Sequence, residues 1–277
     1  MNANLSIVQM HEMVNNQIAK NIYQEKTMNI SGNTILITGG NAGIGRALAE
    51  KFRMKGNKVI ITGRSQEKID KTLSANPGME GYVLDIQDSD AISLFSEQVV
   101  KKHPDLNIII NNAGVGSFEK LTEGSVNIST AEIAMITNVL GPIRLTLSLL
   151  PHLLSKINAV VINTGSGLAH VPLAAMPTYS ASKAAVHSWT QSLRHQLKGS
   201  TVDVIEIIPP AVHTGFLGLS EPAPHEMPIE KFIAEVMEIF ERIPASYEIC
   251  VENVLSLRNA AASGNYEEIF IAVNRMM

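Results

Sequence analysis

The run Thr34-Ile35-Leu36-Ile37-Thr38 opens directly into Gly39-Gly40-Asn41-Ala42-Gly43-Ile44-Gly45, and the helical pattern Ala47, Leu48, Phe52 follows at once. A short apolar run bounded by turn residues reads as a strand buried on both faces. A strand that feeds a helix through glycines is the opening unit of a parallel α/β sheet. The glycines have separable tasks: Gly39 allows the tight turn, Gly43 lets a pyrophosphate approach the backbone, and Gly45 lets the helix lie near the strand. Unpaired N–H groups at the start of that helix attract an anion. The spacing is GxxxGxG rather than GxGxxG, so taken alone it fixes the architecture more firmly than the ligand.

The same alternation continues down the chain. Strand patterns fall at Lys58–Thr62, Gly81–Leu84, Asn107–Ile110, Ala159–Asn163, Val202–Ile208 and, shorter, Tyr247–Val251. Helical periodicity separates them, with Ile229–Arg242 and a terminal helix near Val254–Ala262 at the end. About 20 residues beyond the glycine loop an NAD site offers an acid to the ribose and an NADP site a cation to the 2′-phosphate. The chain has Arg64 there and no Asp or Glu before Glu67, which predicts NADP(H) over NAD(H), with Ser65 assisting. Asp85, at the carboxyl end of the third strand, is placed to accept from an adenine amino group. In Asn111-Asn112-Ala113-Gly114 small residues let the backbone lie against a cofactor, and the Asn amides can tie neighbouring strands. A long helical segment from about Thr130 to Ser155 carries Asn138, and Pro151 is expected to bend it or end its regular part. The next strand delivers Thr164-Gly165-Ser166-Gly167.

In Pro177-Thr178-Tyr179-Ser180-Ala181-Ser182-Lys183, Pro177 suits a first helical turn, so Tyr179 and Lys183 stand one above the other at i and i+4. An adjacent ammonium is expected to lower the phenol's pKa, and such a tyrosine can trade a proton with a carbonyl or alcohol oxygen. Two letters at fixed spacing also make a routine surface pair. The glycine turn, Asn111–Gly114, Asn138 and Ser166 favour the chemical reading. After Val202–Ile208 come Pro209-Pro210-Ala211-Val212-His213-Thr214 and then an apolar loop, residues 215–228, of the length expected for a substrate lid.

With 277 residues the chain is expected to form an N-terminal extension over residues 1–30, partly helical between about Asn4 and Gln24, and one domain over residues 31–277. A net charge of −4 without a basic run argues against nucleic acid. The single Cys250 excludes an intrachain disulfide, and without cysteine clusters or HExxH spacing no metal site is expected. The uncharged stretch between Lys156 and Lys183 is broken by Gly165, Gly167, Pro172 and Pro177, so it is not read as a membrane span. No secretory signal is read at the start, and a cytoplasmic location is expected.

Taken together, TGGNAGIG at Thr38–Gly45, NNAG at Asn111–Gly114, Asn138, Ser166 and YSASK at Tyr179–Lys183 resemble the short-chain dehydrogenase/reductase family over roughly Asn33–Val251. LPHLLSK at Leu150–Lys156, NTGSGLAHVP at Asn163–Pro172 and IIPPAVHT at Ile208–Thr214 resemble its DltE-type oxidoreductase subgroup. The resemblance implies a doubly wound Rossmann fold with a mainly parallel sheet of about seven strands. It also implies a hydride transfer between nicotinamide and a small or medium carbonyl or alcohol substrate. Tyr179 would be the acid/base, Lys183 would lower its pKa and hold the nicotinamide ribose, and Ser166 would orient the substrate oxygen. Asn138 would hold a water through its main chain. Thr38, Gly39, Asn41, Ile44, Arg64, Asp85, Asn112, Val212 and Thr214 fit cofactor contacts, joined by Gly43, Gly45, Ala113, Gly114 and Pro209. Family members are commonly homo-oligomers, here a dimer or tetramer, since the Asp-Gly-Gly end of many tetramers is missing. Pro209-Pro210 replaces the usual Pro-Gly, which stiffens that loop. The alternative is an NADP(H)-binding sensor or scaffold with little catalysis.

Overall fold

In the computed structural model, residues 28–123, 127–218, 221, 223–242 and 247–275 are described. The helix expected between Asn4 and Gln24 lies outside them. In chain order the strands are β1 Thr34–Thr38, β2 Lys58–Gly63, β3 Glu80–Val83, β4 Leu106–Asn111, β5 Ala159–Thr164, β6 Val202–Ile208, β7 Val212–His213, β8 Met227–Pro228 and β9 Glu248–Cys250. The helices are α1 Gly43–Met54, α2 Gln66–Ala75, α3 Ser89–Lys102, α4 Ile128–Met135, α5 Gly141–Leu154, α6 Pro177–Gln196, α7 Ile229–Arg242, α8 Leu255–Asn259 and α9 Tyr266–Arg275.

Seven strands form one parallel sheet in the order β3-β2-β1-β4-β5-β6-β9. Alternation along β1 builds a core on each face. Ile35 and Ile37 join Phe52 of α1 with Phe232 and Phe240 of α7, whereas Leu36 joins Phe95 of α3 with Leu145 and Leu149 of α5. Strand order reverses between β1 and β4, which opens a crevice at their carboxyl ends, where open parallel sheets bind ligands. One side chain ties the two ends together: Thr38 Oγ1 accepts from the backbone N–H groups of Asn112 and Ala113, each at 3.0 Å. Asn112 Nδ2 returns a bond to the Thr38 carbonyl at 3.1 Å.

The segment around Asn138 departs from the expected regular helix. It runs from Ile128 to Leu154, but residues Ile136–Leu140 form a π-helical turn, and Pro151 is followed by three more helical residues. By length and composition Ile128–Leu154 could cross a bilayer, yet half of its most apolar window is buried inside the protein. The expected terminal helix is the short α8, and a further helix, α9, follows it. The 215–228 loop is pinned at its base by β7 pairing with β8, Val212 with Met227 and His213 with Pro228.

Buried amides join the centre of the sheet to α6. Asn111 Nδ2 donates to Asn163 Oδ1 at 2.8 Å, and Asn163 Nδ2 donates to Thr190 Oγ1 at 2.9 Å. Asn111 Nδ2 also donates to Thr146 Oγ1 and Thr190 Oγ1 to Val186 O, so removing the middle amide costs each neighbour one of its two bonds, and Asn163→Ala should lose about 1–3 kcal/mol of stability. Urea unfolding with an unchanged m-value checks this, and a midpoint equal to wild type would contradict it.

Candidate active site

The glycine turn is shaped by contacts on all sides. Gly39 and Gly43 have φ of 65° and 50°, a region that favours glycine. A Cβ on Gly45 would strike the Asn112 amide and the Gly39 carbonyl, so only glycine lets α1 start this close to β1. Gly43 faces Thr214 of the loop after β7, whose Cβ would lie 3.3 Å from a Cβ placed there. Ala42, extended, precedes α1 with no side-chain cap and no acid in the first turn, whereas Ser65 and Asp88 cap α2 and α3. The first N–H groups of α1 are therefore left for an anion. Ser65 caps α2 by accepting from Lys68 N at 3.3 Å, which leaves its own O–H free to donate. Arg64 is exposed and has no hydrogen bond or ion pair with a described residue. The Asn41 side chain covers Gly63 beside it. Asp85 is exposed and accepts from Gln87 N at 3.0 Å. Ile44 and Val212 are half-buried against the core. A cradle of glycines, an uncapped helix start and a free cation fit a phosphate-bearing dinucleotide.

Pro177 begins α6, and Glu119 fixes that end by accepting from Thr178 N at 3.1 Å and Thr178 Oγ1 at 2.9 Å. Lys183 Nζ lies 5.6 Å from the centre of the Tyr179 ring and donates to the Thr164 carbonyl at 2.8 Å. Ser166 sits at the end of β5, where its Oγ accepts from Leu168 N at 3.1 Å and lies near enough to the Tyr179 hydroxyl to favour its ionised form. Asn138 works through its side chain. Its Oδ1 accepts from Val115 N and its Nδ2 donates to Val115 O, both at 2.8 Å. Nδ2 also donates to Ser182 Oγ at 2.9 Å, and that hydroxyl donates to the Tyr179 carbonyl at 2.7 Å. The π-helical turn thus locks the strand end after Gly114 to the helix that bears Tyr179.

The electrostatics correct one expectation. Desolvation pushes the Tyr179 phenol up to about 12, and the neighbouring Ser166 hydroxyl only partly opposes this. Burial likewise pushes Lys183 down to about 8, against the attraction of Glu206. Withdrawal from water sets the direction of both shifts.

Around the phenol, Phe216 holds its ring centre 5.7 Å from that of Tyr179, and Gly116 leaves room for Phe216, Met176 and Tyr179. His213 is paired with Glu226 at 3.1 Å, and the His170 ring lies edge-on to His187 with centres 4.5 Å apart. Sequence reasoning missed Glu119, Ser182, His187 and Glu206. The one available signal was the lone acid in the otherwise apolar run Val204–Ile208.

A doubly wound parallel sheet with a glycine turn at its switch point and a Tyr–Lys helix across the crevice defines a Rossmann-type oxidoreductase. The chain belongs to the short chain dehydrogenase family, whose model matches residues 33–223. It is 33% identical over 259 residues to the uncharacterized oxidoreductase DltE of Bacillus subtilis (strain 168), covering 89% of this chain and 98% of that protein. Its fold is similar to a short chain dehydrogenase from Burkholderia cenocepacia J2315 in complex with NADP, with a TM-score of 0.75, 24% identity, and 89% and 99% of the two chains covered. It is also similar to a short-chain dehydrogenase from Sphingobium yanoikuyae in complex with NADPH, with a TM-score of 0.74, 21% identity, and 86% and 94% covered.

Because Lys183 falls from 10.5 to about 8 on folding, its ammonium costs stability at neutral pH. The unfolded chain binds more protons between those values, so stability rises with pH across that window. The stability of wild type relative to Lys183→Met should therefore rise from about pH 8 toward pH 10.5. A difference that stays flat across that window would contradict the burial penalty.

Proposed function

We propose that the protein is an NADP(H)-dependent oxidoreductase that interconverts the carbonyl and alcohol forms of a small or medium, fairly apolar substrate, with Tyr179 as acid/base. The convergence of Tyr179, Lys183, Ser166 and Asn138 at the carboxyl end of β5, facing the glycine turn, is the observation that carries this reading. A bound nicotinamide supplies hydride in reduction and takes it in oxidation. Ser166 orients the substrate oxygen, and Tyr179 gives it a proton as the carbon is reduced. Lys183, charged and close to the ring, stabilises the phenolate that remains. Asn138 holds Val115 and Ser182, and through Ser182 it fixes the first turn of α6. Thr38, Gly39, Asn41, Gly43, Ile44, Gly45, Asp85, Asn112, Ala113, Gly114, Pro209, Val212 and Thr214 would line the dinucleotide. Met176 and Phe216 give the substrate an apolar wall. The NADP(H) preference is supported by the exposed, unpaired Arg64 and by the NADP and NADPH carried by the two similar structures. A second copy would cover the exposed Ile133, Leu140, Leu147 and Leu154, which recur every seven residues along α4 and α5.

Tyr179→Phe should lower kcat at least about 100-fold with carbonyl substrates while NADPH still binds. Near-wild-type turnover would refute the assignment, and so would NADPH binding without activity in the wild type across ketones, aldehydes and alcohols. Arg64→Ala should reduce kcat/KM for NADPH about tenfold and leave NADH use little changed. An unaltered preference would remove Arg64 from the site.

A further inference from the structure

The stripe of α6 that carries Tyr179 and Lys183 continues at four-residue intervals through His187 to Gln191. Gln191 Nε2 lies 3.1 Å from His187 Nε2 at the surface, and His187 Nδ1 lies 2.7 Å from Glu206 Oε2. Glu206 is 0% exposed, between Ile205 and Ile207 on its strand and beside Asn163 and Glu248 on the two adjacent strands. Its other oxygen, Oε1, has no hydrogen-bond partner and lies against Gly165, where any Cβ would strike it. Gly165 stands between Thr164, which receives the Lys183 hydrogen bond, and Ser166. The carboxylate therefore touches the backbone turn on which two of the proposed reaction residues depend.

A carboxylate this deep is costly unless cations answer it. On α6 it is faced by Lys183, His187 and Arg194, and on β9 and α8 by Glu248, Cys250 and Arg258. His170, on the turn after β5, packs on His187. Ligand atoms of His187, Glu206 and Glu248 lie within 4.8 Å of one another. Even so, Arg258 holds both Glu248 oxygens, at 2.6 and 3.0 Å, so the cluster is an ion-pair network rather than a cation site.

We propose that Glu206, held by His187, is a positioning residue for the reaction: its carboxylate stands behind the turn that carries Thr164 and Ser166, where it answers the charge of the buried Lys183, and residue 165 is glycine to admit it. This rests on the roles given above to Tyr179 and Lys183. Burial drives Lys183 toward its neutral form, and Glu206 is the attraction that resists.

Glu206→Gln keeps the shape and the acceptor for His187 and deletes the charge. In cofactor-free protein labelled with 13C-lysine, the Lys183 resonance, identified by its loss in Lys183→Arg, should titrate lower by about one pH unit in the variant. In NADPH-dependent reduction the alkaline fall of kcat/KM should move the same way. An unmoved Lys183 titration in the folded variant overturns the proposal whatever the activity. A shifted titration in a protein whose wild type reduces no carbonyl supports the coupling and counts against the reductase reading alone. Should Glu206→Gln not fold, Gly165→Ala, which displaces the carboxylate from the turn, should lower the Lys183 titration, and no shift there would equally overturn the proposal.

Discussion

The burial of one ammonium governs this site. Lys183 is only 5% exposed, and its charge is answered by a carbonyl at the end of β5 and, more remotely, by a carboxylate inside β6. An isolated buried charge would be discarded as a proton. The surroundings of Lys183 are instead poised so that small changes in neighbouring charge decide its state. The same desolvation keeps the phenol beside it protonated, which suits a group that must hold a proton until a substrate oxygen takes it. In the proposed reaction, reactivity is a property of the Tyr179–Lys183–Ser166 cluster with its occupants in place.

Everything around that cluster serves to place it. The sheet's reversal between β1 and β4 opens the crevice, and the Thr38 hydroxyl, accepting from two N–H groups, holds its two lips in register. Asn138 performs the corresponding task across the crevice. A π-helical turn costs regular hydrogen bonding and commonly marks a functional position. Here it turns a carboxamide so that three bonds lock Val115 and Ser182 together. The lid-like loop is joined to the reaction centre through Phe216 on the Tyr179 ring and anchored at its far end by Glu226.

Much of this was legible in the sequence, for physical reasons. β1, β6 and α7 match expectation residue for residue, because apolar runs with few polar interruptions and a strong 3.6-residue period leave little else to choose. The glycine turn was legible because positive φ and close approach both demand glycine. Other features depended on tertiary context that no local pattern carries. The π-turn has an ordinary helical composition, and α9 was missed because only Ile269, Phe270 and Val273 hint at its period after Gly264-Asn265. The phenol's direction of shift was misread because i, i+4 spacing reports the neighbouring charge and is silent about burial. Glu206 and His187 lie 19 residues apart and meet only once α6 has folded over β6.

The central claim is that a half-buried, protonated phenol is brought into play by what binds over it. Ultraviolet difference titration of tyrosine ionisation, with and without saturating NADP+, tests this directly. One ionisation, present in wild type and missing in Tyr179→Phe, should move from near 12 in the free protein toward neutral pH in the complex. Identical titrations with and without NADP+, or wild-type and Tyr179→Phe curves that coincide in the complex, would contradict it.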